Sequence, residues 1–145
     1  MVTQVDAFWD TSALVPLCLQ EPNTIRAKEL AEQFRPVVWW GTRVEVHSAI
    51  ARLDRLGKLK LSARQEADAR VSALILRWHE IEPSDAIRDQ AAILLDLYPL
   101  RAADSLQLAA ALIWCRNRPS GRTFLCADAR LAEAATQAGF TTLRP

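Results

Sequence analysis

Asp10, Glu45, Asp104 and Asp128 are spread over most of a 145-residue chain, yet each stands where an apolar run turns into a helix or where an apolar helix begins. Asp10 directly follows Val5 to Trp9, and Asp128 ends the FLCA run. Glu45 falls in the first turn of the helix after VVWW. Asp104 heads LRAADSLQLAAALIWC (Leu100 to Cys115), apolar at almost every position after Ser105, with Gln107 the one position left for water. A helix apolar all round is a buried helix. Asp104 shares a stripe with Leu108, Ala111 and Cys115, and a carboxylate heading a buried stripe is costly unless compensated. The helix N-terminus supplies ~0.3–1 kcal/mol of that, rising toward ~2 where partly buried. A bound cation would supply more.

Two carboxylates ~4 Å apart repel by roughly 4 kcal/mol at an effective dielectric near 20. Four gathered together therefore need raised pKa values or a cation. An all-oxygen donor set without His or Cys favours Mg²⁺ or Mn²⁺ over zinc or copper. Such an ion keeps waters, so it can both bind a phosphate and activate a nucleophile. The chemistry this predicts is phosphoester hydrolysis or phosphoryl transfer.

Each acid also has an ordinary structural reading. Asp10 and Asp128 fit helix N-caps, Glu45 completes a capping box with Thr42, and Asp104 complements a helix dipole. What favours a shared site is the convergence of all four on one edge of the fold the sequence predicts.

That fold follows from the order of runs. Val5 to Trp9 reads as a strand, Thr11 to Leu19 as a short helix, and Asn23 or Thr24 to Phe34 as a second helix ended by Pro36. Val37 to Trp40 is a continuous apolar run of strand length, buried on both sides. Gly41-Thr42 turns into a helix carrying Val46, Ile50 and Leu53 on one face, closed by Gly57. Ser62-x-x-Gln65 is a capping box opening a helix with Val71, Leu74, Ile75 and Trp78 at three-four spacing. Glu80 to Glu82 is a short strand, and Pro83-Ser84 starts a helix through Tyr98, stopped by Pro99. Beyond the Leu100 to Cys115 helix, Asn117 to Arg122 is a polar turn, Thr123 to Ala127 a strand, Leu131 to Ala138 a helix capped by Gly139, and Phe140 to Leu143 a last strand. Alternation of strands and helices predicts one α/β domain over residues 1–145, with a central, largely parallel sheet of about five strands flanked by helices on both faces. In such a sheet ligands bind beyond the carboxyl ends of the strands. Connectivity alone puts Asp10, Glu45 and Asp128 at that edge.

Composition narrows the classes. The chain is 50% hydrophobic and 24% charged with a formal net charge of +1, so any nucleic-acid contact must be local. Among basic residues only Lys28, Lys58 and Lys60 are lysines, a weak preference for bidentate phosphate contacts. Cys18, Cys115 and Cys126 lie in apolar runs and are expected to be buried, reduced thiols of a cytoplasmic protein. His47 and His79 have no Cys partner at zinc spacing. MVTQVD has neither the charged nor the apolar segment of a leader, and no apolar run approaches membrane-spanning length. No G-x-x-x-x-G-K-[ST] phosphate loop and no Gly-rich cradle is present, so no nucleotide cofactor is expected. An aspartyl-phosphate phosphatase would place a second acid where Ser12 stands, and a receiver domain would need a Lys near the last strand, where none follows Lys60.

FWDTSALV (Phe8 to Val15), TRVEVHSAIARL (Thr42 to Leu53), LRAADSLQLAAAL (Leu100 to Leu112) and FLCADARLAEAATQAG (Phe124 to Gly139) resemble, in order and spacing, the acidic motifs of the PIN domain. DTSAL and RAADSLQLA are most similar to VapC-type toxins of bacterial toxin–antitoxin pairs. The resemblance implies an Mg²⁺- or Mn²⁺-dependent endoribonuclease working through metal-activated water. By motif match Asp10, Glu45, Asp104 and Asp128 form the acidic quartet. Asp10, Asp104 and Asp128 would be the metal ligands, and Glu45 would hold a second metal or orient water. Ser12 would hydrogen-bond the first Asp or a metal water. It also implies a cognate VapB-like antitoxin docking in the active-site groove, and a homodimer. In one departure, many relatives carry Thr or Ser two residues before the fourth acid, where this chain has Cys126, a poorer donor.

Arg43, Arg101 and Arg130, each within three residues of an acid, are candidate RNA contacts, Arg101 first among them. Solvated surface arginine is the alternative. Trp9, Trp39 and Trp40 fall on predicted buried strands, which favours core packing over base stacking. Two further readings are a housekeeping PIN nuclease of RNA processing and a catalytically silent PIN binding module. Retention of all four acids speaks against the second, and the lack of room for an added RNA-binding domain against the first.

Overall fold

The computed structural model describes residues 3–145. The expectation about the first residues falls in part on Met1 and Val2, outside that range. Among the described residues the order is β1 (Val5–Trp9), α1 (Thr11–Cys18), α2 (Thr24–Gln33), β2 (Phe34–Trp39), α3 (Thr42–Arg55), α4 (Leu61–Ile75), β3 (His79–Ile81), α5 (Asp85–Leu97), α6 (Ala102–Trp114), β4 (Thr123–Leu125), α7 (Ala129–Ala138) and β5 (Thr141–Leu143). The strands form one sheet in the order β3-β2-β1-β4-β5, and every pairing is parallel. The predicted α/β class and five-strand sheet are what the chain adopts.

Alternate side chains along a strand point to opposite faces, so a sheet covered on both sides needs apolar residues at every position. Phe8, Val37, Trp39 and Phe124 enter one core with Ile87, Leu94, Leu108, Leu112 and Leu131 of α5, α6 and α7. Ala7, Trp9, Val38 and Leu125 enter the other with Leu14, Leu30, Ile50 and Ala67 of α1 to α4. Helices therefore cover both faces, as the continuous apolar strand runs require. No helix among the described residues is long and apolar enough to cross a membrane.

The connections fix where a ligand can sit. From β1 the chain moves to β2 and β3 on one side, and from β4 to β5 on the other. The carboxyl ends of β1 and β4, adjacent strands whose connections diverge, bound the crevice where such sheets bind ligands. Asp10 directly follows β1, and Asp128 lies just beyond β4.

Several local expectations are corrected. Pro36 does not end a helix; it lies inside β2, which begins at Phe34. The strand tolerates it because β3 pairs with β2 only from Val37 onward, so at Pro36 β2 borders β1 alone and a missing N–H costs no ladder bond on the far side. Ser62 does not cap α4. That helix starts one residue earlier, its cap position is Lys60 with no side-chain bond, and it ends at Ile75, short of Trp78. Trp40 is not in a buried strand but just past the end of β2, 52% exposed, while Trp9 and Trp39 are buried as expected. Gly139 does close α7, at φ +115°, a left-handed conformation that glycine adopts without a Cβ penalty. Cys18, Cys115 and Cys126 are free and buried.

Candidate active site at the carboxyl edge of the sheet

Asp10 is the N-cap of α1 and is almost fully buried, with 5% of its surface exposed. Its main-chain N–H donates to the Leu125 carbonyl of β4 at 2.9 Å, which ties the acid to the β1/β4 crevice. Oδ2 accepts from the Ser12 N–H at 3.1 Å and from the Ser12 hydroxyl at 2.6 Å. Ser12 Oγ in turn accepts from the Ala127 N–H at 2.9 Å, so this hydroxyl bridges the ends of β1 and β4. Ser12 thereby fixes the Asp10 carboxylate to the end of β4.

Burial raises the Asp10 carboxyl from 3.8 to about 6 against the lowering effect of the Ser12 bonds, and the charges of Glu45 and Asp104 push the same way. Asp104, half-buried in the first turn of α6, is also raised, by burial first and then by the Asp128 carboxyl. Arg101 and Arg130 partly offset this. A buried acid surrounded by acids is short of positive charge.

Asp128 caps α7, with Oδ1 accepting from the Leu131 N–H at 2.9 Å, and is exposed. The cap and a ligand role can be separated. Asp128→Ala should cost about 1 kcal/mol in urea denaturation through loss of the cap, whereas Asp128→Asn, which caps as well, should not. Cys126 fills the place of the hydroxyl residue. Its Sγ donates to the Asp128 carbonyl at 3.2 Å and lies 3.7 Å from Asp10 Oδ2. Burial, reinforced by the Asp10 charge, pushes this thiol up to about 12, so it remains neutral.

Glu45 does not complete a capping box. Gly41, not Thr42, is the cap position of α3, and it makes no side-chain cap bond. Thr42 is fully buried inside the first turn, and Glu45 reaches the other way, toward α1 and α6. Its Oε2 accepts from the Thr11 hydroxyl at 2.5 Å and from Gln107 Nε2 at 2.5 Å. Gln107, expected to face water, is 1% exposed and also contacts Thr11 Oγ1 at 3.0 Å and Thr42 Oγ1 at 3.1 Å. A lone polar residue in a helix otherwise apolar all round, three positions after an acid, is the signal that could have revealed this buried network.

All four acids line one cavity of about 630 Å³, together with Thr11, Ser12, Val15, Glu21, Val44, Ser48 and Ala49. Arg43, Arg101 and Arg130 are exposed and lie outside that lining. Arg101 and Arg130 are near enough for their charges to act on Asp104. Among the described residues no three His, Cys, Asp or Glu side chains form a ready-made metal cage. One oxygen each of Asp10, Glu45 and Asp128 is bound to the scaffold. The donor set still fits Mg²⁺ or Mn²⁺. These ions bind through one or two carboxylates plus waters and substrate phosphate, and do not need an all-protein cage.

No protein-family model matches the chain, and neither does any curated protein. Solved structures do match. PAE2754 from Pyrobaculum aerophilum superimposes with a TM-score of 0.66 at 16% identity, over 97% of this chain and 92% of that one. VapBC2 from Rickettsia felis, bound to a DNA fragment from their promoter, superimposes with a TM-score of 0.65 at 11% identity, over 97% of this chain and 98% of the other. The similarity is one of fold, end to end: an α/β domain built on one five-strand, all-parallel sheet.

Proposed function

We propose that the chain is an Mg²⁺- or Mn²⁺-dependent endoribonuclease and the toxin of a toxin–antitoxin pair. One observation carries the reading: four acids from four separate elements line one cavity at the β1/β4 crevice, and the deepest of them, Asp10, is buried among like charges. Asp10 and Asp104, with Asp128 beside them, would hold the ion; when bound it would activate water and neutralise the scissile phosphate. The chain's own residues do the rest. Ser12 fixes the Asp10 carboxylate, Glu45 presents a carboxylate oriented by Thr11 and Gln107 as acceptor for a water proton, and Arg101 and Arg130 offer charge to the RNA backbone. A VapB-like antitoxin as partner is supported by the fold shared with VapBC2, and homodimerisation by the motif resemblance.

The direct test is metal removal. Purified chain should cut single-stranded RNA with Mn²⁺ or Mg²⁺ present and stop when EDTA is added. Cleavage undiminished by EDTA would contradict the proposal. Co-purification with the product of a neighbouring small gene, and inhibition by it, would distinguish a toxin from an RNA-processing enzyme.

A further inference from the structure

Buried Gln107 is held by three elements at once. Its amide nitrogen has two hydrogens and three acceptors within reach: Glu45 Oε2 at 2.5 Å, Thr11 Oγ1 at 3.0 Å and Thr42 Oγ1 at 3.1 Å. Its carbonyl oxygen Oε1 is buried with no hydrogen-bond partner among the described residues. A buried carbonyl left without a donor loses its hydration for nothing, so something must hold the amide in that orientation. The carboxylate does. Turning the amide over would set Oε1 against Glu45 and withdraw the N–H it receives.

The same contact answers a second need. Glu45 lies in the first turn of α3 between exposed Val44 and buried Val46, and its charge acts on Asp10. Repulsion from the other acids favours swinging this flexible side chain away from the cavity. Thr11 and Gln107 both bind Oε2 and hold the side chain in place, whereas Oε1 accepts no hydrogen bond among the described residues.

We propose that Gln107 is a positioning residue that, with Thr11, holds Glu45 by one carboxylate oxygen at the lining of the acid-lined cavity. This rests on the nuclease reading of the site for its catalytic consequence, though not for the contact itself. Gln107→Met keeps length and removes the donor. It should lower kcat for Mn²⁺-dependent RNA cleavage roughly 10–100-fold, the scale of lost outer-shell support, with KM little changed. In a Glu45→Ala background the same substitution should cost almost nothing further, since nothing is left to position. Thr11→Val should show the same non-additive pattern, and serves if Gln107→Met fails to fold. An equal loss in both backgrounds, or no loss in the parent, would overturn the proposal.

A readout free of activity separates the two layers. In metal-free protein the ¹⁵N-labelled Gln107 side-chain amide should exchange slowly, and Glu45→Ala should shift it and speed its exchange. An amide indifferent to Glu45→Ala would overturn the positioning role. A parent chain that cleaves no RNA while its Gln107 amide still responds would remove the reaction class and leave the positioning role standing.

Discussion

Asp10→Asn is expected to lower Mn²⁺-dependent RNA cleavage by roughly 10³-fold or more, while the metal-free variant is more stable than its parent at pH 7.5. The catalytic loss follows from removing the deepest anionic donor of the cavity, a contribution of several kcal/mol at about 1.4 kcal/mol per tenfold. The gain in stability follows from the same burial. Asparagine still accepts from Ser12 and still caps α1, but carries no charge to desolvate. Asp104→Asn should follow the same pattern with a smaller stability gain, because Asp104 is less buried and Arg101 and Arg130 already offset part of its charge. Enzyme assays and urea denaturation of the two variants measure both halves. A variant that cleaves RNA like the parent would remove that acid from the chemistry.

Metal-free stability should fall as pH rises from about 4 to above 6. The Asp10 carboxyl titrates at 3.8 in the ordinary solvated state and at about 6 in the fold. Below the lower value it is protonated in both states and contributes no pH dependence. Between the two the folded chain binds more protons than the unfolded chain, so each step up in pH favours unfolding. Above about 6 the full cost is present, about 3 kcal/mol for a shift near two units. Asp104, also raised, adds in the same direction. Guanidinium denaturation at pH 5 and pH 7.5 in EDTA should therefore show the higher stability at pH 5. Asp10→Asn should flatten the difference, and added Mn²⁺ should recover stability at pH 7.5 in the parent only. A parent equally stable at both pH values would mean that Asp10 carries no buried charge.

The strands and their closing acids were legible because local chemistry dictates them. Continuous apolar runs such as Val37-Val38-Trp39 mark strands covered on both faces, and an Asp directly after Trp9 both caps a helix and sits at a strand end. Connectivity places Glu45 on the right edge, in the first turn of the helix after β2, but the capping box that is its ordinary structural reading does not form. A capping box needs Thr42 outside the helix, and the helix instead begins at Thr42 with Gly41 before it. Glu45 is thereby free to turn toward α1 and α6.

Gln107 was misread because its partners Thr11, Thr42 and Glu45 lie 96, 65 and 62 residues away in sequence. Composition marks the residue as polar; only the meeting of the first turns of α1 and α3 with α6 at the sheet edge supplies the acceptors that bury it. Pro36 was misread for a related reason. A proline forbids a strand interior only where a neighbour needs its N–H, and which side of β2 is occupied at that point depends on where β3 starts to pair.

The central claim, that these four acids form one divalent-ion site, is tested most directly by anomalous diffraction from crystals soaked in Mn²⁺ near pH 7.5. A manganese peak is expected in the cavity between Asp10 and Asp104, and it should disappear in Asp104→Asn. A well-ordered cavity without manganese in the parent chain, or a peak that persists unchanged in the variant, would contradict it.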